Sequence, residues 1–260
     1  VVATLGLELM ARDHMARQVR DVEQLQIMLD SLWRQTMDPA DIDGSFQRFA
    51  AGADRLIRAA RSRGELSAQQ YYETVRAYSG YTDELAHVPE QPGQSRANRA
   101  ALHATSVAKA KTAIASGVPA ADALDLARAA MLASAKRRVL DAPRRRLIAL
   151  SDSDPNSRRW ARVSDGKPCY FCAMLVSRGP VYSNLTGRFD AHDGCGCSAK
   201  PVFRNDPGGG WSADARAMET LFQLPTDHDN LSWRQRYSRA VADPESAVAK
   251  ALADRWTLAA

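Results

Sequence analysis

Several things are missing from this sequence, and each gap removes a class of function. No run of about 18 apolar residues occurs, so no segment is expected to span a bilayer. The opening "VVATLGLELMARDH" lacks a basic lead-in and a small-residue cleavage site. It is expected to form the first turns of a helix and not a signal peptide. Because the chain starts on Val1, it is expected to begin inside a longer product. There is no G-x-S-x-G, no G-x-x-x-x-G-K-[ST], and no G-x-G-x-x-G after a strand. Local signatures for hydrolase, nucleotide-phosphate and dinucleotide sites are therefore absent. No repeat of 20 to 50 residues is evident, which argues against a solenoid.

Cysteine is scarce too. The 260 residues hold four, all between Cys169 and Cys197, in "PCYFC" and "AHDGCGC". Cys169 and Cys172, two residues apart, can face one metal from a tight knuckle. His192, Cys195 and Cys197 come from a second turn, where Gly194 and Gly196 permit a sharp bend. Tetrahedral zinc needs four N or S ligands, and two such knuckles supply five candidates. The spacing leaves open which one is spare. It also leaves two alternatives to structural zinc: two disulfides, or reduced thiols without a ligand.

A catalytic metal is not indicated. "PCYFC" matches half of a zinc-deaminase signature, but the required H-x-E is absent, since both "HVPE" at His87 and "HAT" at His103 fail. H-E-x-x-H is absent as well. The remaining histidines read as ordinary residues: His14 and His103 on helices, His87 and His228 in loops. No serine has a setting that singles it out as a nucleophile.

Composition is that of a globular protein, 45% hydrophobic and 25% charged, with a formal charge of +5 and a pI of about 9.2. The basic residues cluster. Lys136, Arg137, Arg138, Arg144, Arg145, Arg146, Arg158, Arg159 and Arg162 face only three aspartates in the same stretch. This is either a solvated helix end or a surface for DNA phosphates.

The pattern predicts a mostly α fold in three parts: helical residues 1–150, an irregular α+β Cys/His metal-binding module at 151–206, and a helical tail at 207–260. From Leu5 to Trp33 apolar residues recur at helical steps. After "MDPAD", with Asp38 or Asp41 as cap, a second helix is expected from Ile42 to Arg63, stopping at Gly64. "LSAQQYYETVRAY" reads as a separate helix capped by Ser67, and "AHVPEQPGQSRANR" as a linker. Helices are then expected over Ala97–Ser116, from Pro119, and over "APRRRLIAL". Alanine-rich faces suit a bundle. In the module, "PVYS", "GRFDAH" and "KPVFR" read as short strands and turns. "SADARAMETLF", "NLSWRQRYSRAVAD" and "PESAVAKALADRW" give the tail helices.

The run from Trp160 through "RVSDGKPCYFCAML", the "SRGPVY" after it, "FDAHDGCGC" and "PVF" at Pro201 together resemble the central module of MuF-like minor head proteins of tailed bacteriophages. The likeness is to the actinobacteriophage type, often described as minor capsid or capsid maturation proteins, and it covers Trp160 to Phe203. It implies a virion component inside the head at the portal vertex, present in the host cytoplasm during assembly and acting in head morphogenesis. The implied partners are the portal, the major capsid protein and packaged double-stranded DNA, with no membrane and no small-molecule substrate. The family's metal clip carries over as Cys169, Cys172, His192, Cys195 and Cys197, with structural zinc. Some relatives are protease fusions, so a capsid maturation protease is the alternative, although no catalytic constellation stands here to receive that activity.

Overall fold

The computed structural model describes residues 2–89, 95–183, 187–223 and 231–257. The fold is mostly α. Three long helices dominate it: α1 (Val2–Thr36), α2 (Ile42–Tyr78) and α5 (Ala120–Ser153). At 1.5 Å per residue each is roughly 50 Å long. Between α2 and α5 lie α3 (Ser95–His103), a π-helical turn (Ala104–Ala108) and α4 (Lys109–Ala115). Asp41 caps α2 by accepting from the Gly44 N–H at 2.9 Å, and Gly117, at φ +90°, ends α4.

Two helices run further than the sequence pattern predicts. α2 passes through Gly64 without stopping, so Ser67 caps nothing. Gly64 is buried in the contact with α5, where an added Cβ would lie 3.1 Å from Pro143 Cδ. The glycine is there for close approach and does not end the helix. Likewise "APRRRLIAL" is the last part of α5, with Pro143 buried inside it. The missing N–H of a mid-helix proline costs one helical bond. Packing on both sides holds α5 together, and Arg61 on α2 donates to the Arg138 carbonyl beside it.

Apolar residues of α1 (Leu25, Leu29, Trp33), α2 (Phe49, Ala53, Ile57) and α5 (Met131, Ala135) form the first core, closed by Leu102 and Val107. A second core joins Tyr71 and Tyr72 of α2 and Leu147 and Leu150 of α5 to Trp160, Tyr182 and Phe203. The last three belong to the following module. There β1 (Ser157–Val163) pairs antiparallel with β2 (Ser198–Phe203), Trp160 opposite Pro201. "KPVFR" thus supplies β2, as expected. "PVYS" contributes only a bridge from Tyr182 to Trp160, and the described part of "GRFDAH" forms no strand. β1, in "SRRWARV", was not legible in the sequence.

Between the strands lies α6 (Tyr170–Val176). Of the tail helices, α7 (Ala213–Gln223) and α8 (Trp233–Ala242) pack on it, and α9 (Ala247–Thr257) packs on those two. Ala173 and Val176 of α6 share a third core with Met218, Tyr237, Val248 and Leu252. The cysteine window therefore lies where the long helices meet the tail. Among the described residues no helix is long and apolar enough to cross a membrane.

Candidate metal centre

The first knuckle is built by the start of α6. Cys169 is its N-cap, with extended backbone, and its sulfur accepts from the Cys172 N–H at 3.5 Å. Two ties from α8 fix this turn. Tyr237 O–H donates to the Pro168 carbonyl at 2.6 Å, and Trp233 Nε1–H donates to the Tyr170 carbonyl at 2.7 Å.

The second knuckle, Ala191 to Cys197, is held by α5. Gly194, at φ +82°, gives its N–H to the Ala133 carbonyl at 3.1 Å. Asp193 pairs with Arg137 at 2.8 Å. Arg144, 1% exposed, donates from Nε to the Cys197 carbonyl and from Nη2 to the Cys195 carbonyl, both at 2.8 Å. Ala133, Arg137 and Arg144 recur at helical spacing, so one face of α5 cradles the whole turn.

The two knuckles bring all five predicted donors together. Ligand atoms of Cys169, Cys172 and His192 lie within 4.8 Å of one another, as do those of Cys172, Cys195 and Cys197. Cys172 belongs to both groups. His192 Nε2 stands 3.2 Å from the Cys169 sulfur and 3.4 Å from that of Cys172, while the sulfurs of Cys172 and Cys195 are 3.7 Å apart. Two thiolates on a tetrahedral zinc, each bonded at about 2.3 Å, stand about 3.7 Å apart. All four cysteines are free, and a 3.7 Å separation is far from a disulfide bond of about 2.05 Å. His192 Nδ1 faces the Asp193 carbonyl at 2.8 Å, which assigns its proton to Nδ1 and leaves the Nε2 lone pair toward the sulfurs.

The electrostatics differ from sulfur to sulfur. Hydrogen bonds from Cys172 and Cys197, followed by the charge of Arg144, hold Cys195 far below the ordinary thiol range. The Cys195 sulfur in turn pushes Cys172 up to about 12. Cys197 is raised by the Cys172 and Cys195 sulfurs and by burial. At Cys169, burial pushes upward, but the Cys172 N–H and thiol, with His192, overcome it and lower the thiol. The Asp193 carbonyl, then the Cys169 and Cys195 sulfurs, raise His192 against burial. The pocket thus favours the thiolate at Cys195 and Cys169 and the thiol at Cys172 and Cys197, so a soft cation binding all of these sulfurs would displace protons from the latter pair.

The arginines expected to face phosphate divide. Arg144 is turned inward to the knuckle, contrary to expectation. Arg146 donates to the Gln69 side chain at 2.9 Å and the Val88 carbonyl at 2.6 Å, and Arg138 to Asn98 at 3.3 Å. Arg137 is paired with Asp193. Arg145, Arg158 and Arg159 are exposed. Elsewhere, His14 is buried and stacked on Tyr71, His103 meets the edge of Phe46, His87 is exposed, and His228 lies outside the described residues. Sequence reasoning did not find the supports Arg137, Asp193, Trp233 and Tyr237. Of the supports, Arg137 and Arg144 carried a signal, and that signal was their charge in the basic cluster.

No solved structure matches the chain. It is 28% identical over 230 residues to the Gene 15 protein of Mycobacterium phage D29, an alignment covering 70% of this chain and 82% of that one. That relationship sets it among bacteriophage proteins. The family model described as VG15 protein matches residues 10–224, which takes in most of α1, all of α2 and α5, and both knuckles, and the chain belongs to that family.

Proposed function

We propose that this chain is a phage minor capsid protein of the MuF-like kind, associated with the portal inside the head and acting in head morphogenesis. The supporting observation is the convergence of five Cys and His donors at the seam between the long helices and the tail, in a chain whose relative is a phage gene product. Sulfur and imidazole donors at these separations suit zinc better than hard cations, which prefer oxygen. The ion would be held by ligands drawn from Cys169, Cys172, His192, Cys195 and Cys197, and its contribution would be to fasten one knuckle at the start of α6 to another held by α5. In this reading residues 1–150, 151–206 and 207–260 act as bundle, clip and tail. Portal and major capsid protein are the partners, and exposed Arg145, Arg158 and Arg159 are the side chains available to packaged DNA.

The test is an assembly assay in a phage carrying this gene. Cys169→Ser with Cys172→Ser should release zinc and stop the formation of filled heads, while processing of the coat protein continues. A single Ser, His or Asp replacement that leaves the fold intact yet stops coat cleavage would overturn this reading in favour of a maturation protease.

A further inference from the structure

Two arginines are buried beside the cysteine cluster. Arg144 is 1% exposed and Arg162 is 2% exposed. Both guanidinium groups lie over the ring of Phe189, at 4.9 and 3.8 Å, and Phe189 packs against the cluster of Cys172, Cys195 and Cys197. Arg144 has one carboxylate partner, Asp141 at 3.1 Å, and Nη2 lies 3.8 Å from the Cys195 sulfur. Arg162 donates from Nη2 to the Asp190 carbonyl at 2.8 Å, while its Nε and Nη1 are buried with no hydrogen-bond partner among the described residues. Buried charge is costly unless an opposite charge lies close by. Arg162 has no ion-pair partner among the described residues, and a further carboxylate near the turn is Asp165, against Gly196. Zinc bound by three thiolates and a neutral imidazole carries one negative charge, the sign that two arginines buried to this degree favour beside them.

We propose that Arg144 is the positioning residue of the metal centre, presenting Cys195 and Cys197 through their carbonyls, and that with Arg162 it matches a net-negative ligand set of at least three thiolates. The inference rests on the zinc reading above. The geometry requires the guanidinium fork: two carbonyls two residues apart are met by Nε and Nη2 of one planar group, which an ammonium on a flexible stem cannot reproduce.

The experiment uses the purified full chain loaded with zinc and titrated with chelators of graded affinity, alongside a cobalt(II)-substituted sample. The intensity of sulfur-to-cobalt charge transfer reports the number of thiolates bound. The native chain should hold one ion per chain, with a spectrum of three or more thiolates. Arg144→Gln should weaken retention at least tenfold, about 1.4 kcal/mol, and reduce the charge-transfer band. Arg144→Lys, which keeps the charge and loses the fork, should fall between native and Arg144→Gln. Arg162→Gln removes the second buried charge, with its bond to the Asp190 carbonyl and its contact with Phe189 but no contact to a ligand carbonyl, and should weaken retention by a smaller factor. Should Arg144→Gln fail to fold, Arg144→Lys decides, since retention equal to native refutes the positioning role. A native chain that binds no zinc defeats the metal reading and this inference together. Native binding with an unaltered Arg144→Gln defeats this inference alone.

Discussion

An added Cβ at Gly196 would lie 1.9 Å from Asp165 Oδ2, so the glycine between the last two cysteines is fixed by a neighbour and not only by the bend. Asp165 is itself held, accepting from the Lys167 N–H at 3.2 Å. Gly196→Ala is expected to shift the second knuckle at a cost of about 1–3 kcal/mol, comparable to core overpacking. It should also lower zinc content, read by metal analysis and thermal unfolding. His14 gives a second prediction at this scale. Burial, then the charge of Arg17, depress it from 6.5 to about 3. Its ring stacks on Tyr71 at 4.3 Å and faces Gln18 at 2.9 Å. The folded chain therefore keeps His14 neutral while the unfolded chain takes up a proton below pH 6.5. Stability should fall with falling pH through the window from 6.5 toward 3, by up to about 1.4 kcal/mol per pH unit. His14→Leu should flatten that slope relative to native in denaturant titrations at stepped pH.

At the scale of elements, α5 performs two tasks on two faces. One face meets α2 at Gly64 and Pro143, and the other cradles the second knuckle. Gly64→Leu places a large side chain against Pro143 and should destabilise the α2–α5 seam by about 1–3 kcal/mol, seen as a lower denaturation midpoint with an unchanged slope. It should displace Arg137 and Arg144 as well, so zinc retention should weaken although residue 64 touches no ligand. The sequence was misleading at both ends of this contact. A glycine and a proline within helical patterns normally punctuate, and here tertiary packing overrides that preference.

At the scale of the whole molecule, the first core contains no residue of the cysteine window, whereas the tail core includes Ala173 and Val176 from the helix that carries Cys172. On the zinc reading proposed above, a chelator should therefore loosen the tail more than the bundle. Most of the far-UV helical signal should persist, while limited proteolysis gains cuts within residues 207–260. Zinc at a thousand times its Kd should restore protection, adding about 4 kcal/mol to the parts whose folding it requires.

The sequence by itself determined the helical class and the stripe of α1. It also determined the cap at Asp41, the strand over "KPVFR", the tail helices and the five donors. Each of these is a matter of local spacing: 3.6-residue periodicity, capping chemistry and short Cys/His intervals are all properties of neighbouring residues. Only the tertiary structure decided that Gly64 and Pro143 lie inside helices, that Arg144 faces sulfur, and that Tyr237 and Trp233 brace the first knuckle. Those relations join residues from 51 to 79 positions apart, such as Arg144 with Cys195 or Gly64 with Pro143. A charge or a glycine carries no local mark of which distant surface it will meet, so only the packed chain assigns it.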